Sequence, residues 1–277
     1  KRVMECPQNV HFIIMECLLS GQSAYIFNFW RGNKNMIIKP DNEMLSYSGR
    51  IDFDDRLAPV LVYACSSIGM KFTGTSLKAV IVNHRSCWTN ELGYFIDGEQ
   101  KRFTLSSDEE KKTYTLAENL PEGTHELLLF KRMDSCHTFT FYGFEIDDGA
   151  KVLPLPEKPK RKMEFFGDSV SCGEVSEAVA YVGKPDPEHD GQYSNSWYSY
   201  AWMTARKLNA QIHDTSQGGI SLLDDTGWFA APHYKGVESC YDKIEYHPDL
   251  GPTKQWDFSQ YIPNVVVVAI GQNDIIR

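Results

Sequence analysis

Met163-Glu164-Phe165-Phe166-Gly167-Asp168-Ser169-Val170 is the stretch on which the reading of this chain turns. Four residues with strand character run into glycine and then into Asp-Ser, two residue types favoured where a helix begins. A serine at such a strand-to-helix turn has an exposed hydroxyl, and the first N–H groups of the helix stabilise negative charge developing beside it. Unassisted, a serine hydroxyl is a weak nucleophile at neutral pH, so a turn of this kind is where nucleophilic catalysis is placed. Gly-Asp-Ser by itself is better read as a helix cap. The decision therefore rests on what surrounds it.

Two further turns follow strand-like segments downstream. Ala210-Gln211-Ile212-His213 leads to Ser216-Gln217-Gly218-Gly219-Ile220, where glycine lets the backbone approach a substrate and offer an N–H. Val265-Val266-Val267-Val268-Ala269-Ile270 reads as a buried parallel strand and leads to Gly271-Gln272-Asn273-Asp274. Between the first strand and the second, Ser196 to Leu208 reads as a helix capped by Asn195 or Ser196. Strands alternating with helices predict a parallel sheet with helices on both faces, and ligands bind such sheets at the carboxyl ends of the strands. All three turns fall at that edge. The Ser169 N–H, the Gly219 N–H and the Asn273 amide are then candidates for a three-donor oxyanion hole, with Gly218 as the alternative to Gly219.

Upstream, the character changes. Short strand-like runs such as Leu77 to Val82, Tyr94 to Asp97, His125 to Phe130 and Thr138 to Phe144 are punctuated by turn signals, Asp97-Gly98 among them. They predict an all-β unit of sandwich or jelly-roll type over residues 1–152. Leu153-Pro154-Leu155-Pro156-Glu157-Lys158-Pro159-Lys160-Arg161-Lys162, with three prolines and four basic residues, reads as an extended linker over 153–162, leaving 163–277 as the α/β unit.

Gly167-Asp168-Ser169, Gly219 and Gly271-Gln272-Asn273-Asp274 resemble the first three blocks of the SGNH or GDSL hydrolases. The β-rich unit, the proline-rich linker and the Asn195 to Ala210 segment are similar to carbohydrate esterase family 2, whose members remove acetyl groups from xylan and related polysaccharides. The resemblance implies a serine esterase acting through an acyl-enzyme, with Ser169 as nucleophile and Gly219 and Asn273 completing the oxyanion hole. Asp168 then orients the turn. The family's base is a histidine in an Asp-x-x-His block after the asparagine motif. The chain ends four residues beyond Asn273, at Arg277, and the histidine is expected beyond it. His189, His213, His233 and His247 read as surface or satisfied polar residues, although His213 directly follows a strand. Trp228 is a candidate for stacking on a sugar, whereas Trp197, Tyr200 and Trp202 read as helix core.

Composition supports a neutral substrate. Twenty-eight Lys and Arg against 37 Asp and Glu leave a net charge of −9, which argues against nucleic acid. No apolar run approaches the roughly 18 residues of a membrane-spanning helix. Seven cysteines without a Cys-x-x-Cys pair favour free thiols and a reducing compartment, whereas polysaccharide deacetylation favours secretion, so the sequence leaves cytoplasmic and secreted both open. No metal or cofactor is implied. The expected partner is an acetylated oligo- or polysaccharide. The alternatives are an SGNH esterase or lipase acting on a non-carbohydrate ester, and a carbohydrate-binding protein lacking catalysis.

Overall fold

The computed structural model describes residues 35–274, together with the backbone of an antiparallel pair, β1 (Glu5–Cys6) and β2 (Val10–His11). From residue 35 to 153 the chain forms strands only: β3 (Asn35–Ile38), β4 (Ser46–Ser48), β5 (Ile51–Asp52), β6 (Val60–Leu61), β7 (Ser67–Thr73), β8 (Leu77–Arg85), β9 (Glu91–Ile96), β10 (Glu99–Thr104), β11 (Lys112–Ala117), β12 (Thr124–Lys131), β13 (His137–Asp147) and β14 (Val152–Leu153). They make two antiparallel sheets. One runs β10-β9-β12-β7-β14 with β4 added to β7, and the other runs β11-β8-β13-β6-β5 with β3 added to β13. Their facing sides share one apolar core, which includes Ile68, Met70, Leu129, Phe139 and Phe141. The Asp97-Gly98 turn is a two-residue hairpin with both φ angles positive, 52° and 85°, which is the geometry that matches strand twist.

Strand β12 explains how this sandwich meets the rest of the chain. Alternation holds at its start, with His125 and Leu127 buried and Thr124 and Glu126 exposed, and then ceases. Leu127 and Leu129 face the sandwich core, whereas Phe130, with Leu128 beside it, packs into a second core with Met163, Phe165, Trp202 and Ile212. Both faces of β12 are thus covered, one by each unit. A continuous Leu127-Leu128-Leu129-Phe130 run is what such a position requires.

The second unit contains β15 (Arg161–Gly167), α1 (Ser169–Cys172), α2 (Tyr200–Lys207), β16 (Ala210–Ser216), α3 (Val237–Cys240), β17 (Lys243–Glu245), β18 (Lys254–Gln255) and β19 (Val265–Ala269). Its sheet is parallel, in the order β16-β15-β19. The expected helix over 196–208 is divided. Asn195 caps a short 3-10 turn at Ser196–Tyr198, and Ser199, extended at ψ 145°, caps α2 by accepting the Trp202 N–H. Two cap-forming residues four apart end one helix and start another. Strand β19 was expected to be buried, yet Val265, Val266 and Val268 are 49, 51 and 61% exposed. Among the described residues it is bonded only to β15. Helices α1 and α2 cover one face of the sheet. On the other, among the described residues, Glu164 and His213 meet Arg50, Trp256 and Tyr261 in place of a helix. No helix among these residues is long and apolar enough to cross a membrane.

A buried ion pair joins the two units. Arg50 of the sandwich donates from Nε to Glu164 Oε1 at 3.0 Å and from Nη1 to the Tyr241 and Lys243 carbonyls, with both side chains almost fully enclosed. Removing one partner leaves the other charge buried and uncompensated, at a cost of about 3–5 kcal/mol. Glu164→Leu is therefore expected to lower the stability in denaturant titration by about that amount, and Arg50→Met added to it is expected to recover most of the loss.

Candidate active site

Ser169 stands two residues after the end of β15 and opens α1. The strand closes at Gly167, where a side chain would collide with that of Ser171 and crowd the Ala269 carbonyl. Asp168 is buried and caps α1, accepting the Val170 N–H at 3.0 Å on Oδ1. Burial raises its pKa, and its Oδ2 has no hydrogen-bond partner among the described residues. Helix α1 is one turn long, ended by Gly173 in the left-handed region at φ 78°. So short a helix has little dipole, and the charge-stabilising groups at this corner are individual N–H donors rather than a helix terminus. Ser169 itself is half-buried and lines a cleft of about 480 Å³.

The other two turns enter the same cleft. Gln217 donates its N–H to the Gly167 carbonyl at 3.1 Å, which ties the β16 turn to the end of β15. Gly218 N donates to Asp134 Oδ2 at 2.7 Å. Gly219 sits at φ +72°, and its carbonyl accepts from Trp228 N and Phe229 N at 2.8 and 3.2 Å. The two glycines thereby differ: the Gly218 N–H is occupied, whereas the Gly219 N–H donates to no acceptor among the described residues. Asn273 follows β19 and donates from Nδ2 to the Ile220 carbonyl at 3.0 Å, while the Asp274 carboxylate accepts the Leu222 N–H. These bonds lock the asparagine turn onto the glycine turn. Ser169, Gly218, Gly219, Asn273 and Trp228 all line the cleft.

Trp228 is 56% exposed and packs against Gly219. Trp197 lies elsewhere, beside Phe95 and Phe130 with the Arg206 guanidinium 3.6 Å from its ring centre. His213 is not in the cleft. It stacks on Tyr261 with centroids 3.5 Å apart, and burial together with the charges of Arg50, Lys158 and Lys162 pushes its pKa down to about 3. His189 and His247 do line the cleft. His247 Nδ1 accepts the Asp249 N–H at 3.2 Å, which leaves the proton of the neutral ring on Nε2, and burial lowers its pKa.

Sequence reasoning missed the wall that the sandwich contributes. Trp88, held at φ 59°, and Asp134 line the cleft opposite the parallel sheet, and Glu174 joins them from the loop after α1. Treating residues before 153 as a separate unit hid them. The signal was the polar run Lys131-Arg132-Met133-Asp134-Ser135 directly after an apolar strand.

A serine at a strand-to-helix turn, with a glycine turn and an asparagine presented from the neighbouring parallel strands, is the arrangement of the SGNH-type hydrolases. Comparison carries this to a family. Residues 47–156 match the carbohydrate esterase 2 N-terminal family. The cellulase/esterase CelE of Acetivibrio thermocellus is 32% identical over 235 residues, covering 84% of this chain and 27% of that protein. An acetylxylan esterase / glucomannan deacetylase of Cellvibrio japonicus is 26% identical over 216 residues, 76% of this chain and 58% of that protein. The chain thus spans between about a quarter and three fifths of these relatives' lengths. Among solved structures, a family two carbohydrate esterase from Clostridium thermocellum in complex with cellohexaose superposes with TM-score 0.71 at 30% identity, covering 83% of this chain and 66% of that one. The chain is a relative of the family 2 carbohydrate esterases within the SGNH hydrolases.

Packing around Gly218 yields a direct check. A Cβ there would collide with Glu174 Oε1 and lie 2.7 Å from Asp134 Oδ2. Gly218→Ala is expected to destabilise the fold by about 1–3 kcal/mol in denaturant titration, the usual scale of overpacking.

Proposed function

We propose that this protein is a serine esterase that removes acetyl groups from xylan-type or other acetylated saccharides. The observation that carries the reading is the meeting of Ser169, Gly219 and Asn273 in one cleft with the Ser169 and Gly219 N–H groups left without acceptors among the described residues. An unfilled pair of backbone donors beside a serine hydroxyl suits the oxyanion of a tetrahedral intermediate.

In this scheme Ser169 Oγ attacks the acetyl carbonyl and its proton passes to a histidine, which the SGNH arrangement places after the Asn273 block. The Ser169 and Gly219 N–H groups and the second N–H of the Asn273 amide hold the oxyanion. Collapse expels the sugar hydroxyl and leaves Ser169 acetylated, and water then releases acetate. His247, whose Nδ1 is already engaged, serves the wall of the cleft rather than as the proton acceptor. Trp228 and Trp88 offer flat apolar faces to a pyranose ring. The names of the relatives and the bound cellohexaose of the Clostridium thermocellum structure support a saccharide substrate. The order β6-β13-β8-β11 facing β7-β12-β9-β10 supports reading the first unit as a jelly roll, and the strand–serine–helix unit supports an SGNH-type parallel sheet for the second.

Initial rates of acetate release from acetylated xylo-oligosaccharide by the full-length polypeptide test this reading. Ser169→Ala is expected to remove turnover while leaving the unfolding midpoint unchanged. Asn273→Ala is expected to lower kcat by about 10²–10³, the cost of one oxyanion donor. Retained turnover in Ser169→Ala would overturn the assignment.

A further inference from the structure

The Asp134 carboxylate accepts three hydrogen bonds at the wall of the cleft. Its Oδ2 accepts both Gly218 N and Gln217 Nε2 at 2.7 Å, and its Oδ1 accepts Cys136 N at 2.9 Å. The orientation of Gln217 is fixed from its other end. Gln217 Oε1 accepts Ser135 Oγ at 2.6 Å and Tyr246 Oη at 2.7 Å, so its amide nitrogen has to face Asp134. A carboxylate from the sandwich thereby holds the peptide immediately before Gly219.

Glu174 reaches the same peptide beside Asp134, since a Gly218 Cβ would lie against Glu174 Oε1 and 2.7 Å from Asp134 Oδ2. Its Oε1 stands where a Gly218 side chain would be, and this oxygen is buried and accepts no N–H or O–H among the described residues. A buried carboxylate oxygen without a donor is costly, and protonation relieves the cost. The groups that face it point the same way. Asp134 beside it, Asp168 below α1 and the Cys87 thiol are all acidic. Lys131 lies nearby, but its ammonium is spent on the Met133 and Asp134 carbonyls. His189, at the rim, approaches Glu174 Oε2 only to 3.9 Å and is itself 40% exposed. Burial first, then the charge of Asp134 and a hydrogen bond with its carboxyl group, raise the Glu174 pKa well above the carboxylate range.

We propose that Glu174 and Asp134 share one proton, and that this acid–carboxylate pair clamps the Gly218–Gly219 peptide so that the Gly219 N–H faces Ser169. Glu174 is a positioning residue, because it acts on the oxyanion turn through Asp134 and Gly218. With one proton present, Glu174 donates to Asp134 and lies neutral against the glycine. Once the proton leaves, two carboxylates repel each other beside Gly218 and the turn loosens. Since the Gly219 N–H is invoked for the transition state, the loss falls on kcat rather than on KM.

The effect rests on the esterase reading for its activity arm only, so the experiment has two arms on the full-length polypeptide. In the first, the Gly218 amide resonance is followed with pH by ¹H–¹⁵N NMR in the wild type and in Glu174→Gln, which stays neutral and still donates an N–H to Asp134. The wild-type resonance is expected to titrate with a midpoint above the ordinary glutamate value of 4.5, and the step is expected to vanish in the glutamine variant. The linked stability follows with a definite sign. The folded state keeps a proton that the unfolded state releases, so wild-type stability falls relative to Glu174→Gln as pH rises from 4.5 through the raised value.

In the second arm, Glu174→Gln is expected to keep kcat within about threefold at neutral pH and to lose the alkaline decline that belongs to Glu174, whereas Glu174→Ala loses kcat about tenfold or more at similar KM. A Gly218 resonance that does not titrate above 4.5, or that titrates unchanged in Glu174→Gln, overturns the proposal, and so does a glutamine variant that loses kcat as alanine does. If the titration behaves as expected but the wild type releases no acetate at any pH, the esterase reading fails and the shared proton stands.

Discussion

Strand β15 lies between two parallel partners, and the register at its last residue sets everything that follows. Gly167 stands opposite Ser216 on one side and Ala269 on the other, so all three strands finish level. In a parallel sheet each chain then has to turn at the same edge. Ser169 comes two residues after that line, Gly218 and Gly219 two and three residues after it, and Asn273 four residues after it. No long-range folding of loops is needed to bring them together. Backbone bonds then hold the turns in place, Gln217 to Gly167 and Asn273 to the Ile220 carbonyl.

The β-sandwich is part of this site rather than an appendage to it. Strand β12 gives one face to the sandwich core and the other to the core under α2, while Arg50 and Glu164 close the opposite side of the parallel sheet. With the two units fixed against each other, the loop after β12 delivers Asp134 to Gly218, and the loop after β8 brings Trp88 to the far wall. A cleft built between two units is a common place for a small-molecule site.

What could be read from the sequence follows from how local each signal is. Strand-glycine-polar turns announce themselves within a few residues, so Ser169, Gly219 and Asn273 were legible as candidates, and the parallel sheet supplied the reason for their meeting. The choice between Gly218 and Gly219 was not legible. It depends on Asp134, 84 residues upstream of Gly218, occupying one N–H and leaving the other. Local context set Trp228, in a turn-rich stretch, apart from Trp197, in a helix, and packing keeps them apart: Trp228 is exposed at the cleft, whereas Trp197 lies under the Arg206 guanidinium. His213 illustrates the converse, a polar residue on a strand near the site whose ring turns to Tyr261 on the face of the sheet.

The central claim is that Ser169 carries the acyl group. Its most direct test is to mix the full-length polypeptide with an aryl acetate, quench in acid during the first turnover and map the acetylated peptide by mass spectrometry. The account predicts one acetyl group, on Ser169, absent when Ser169 is replaced by alanine. Acetate released with Ser169 unmodified, or the acetyl group carried by another residue, would contradict it.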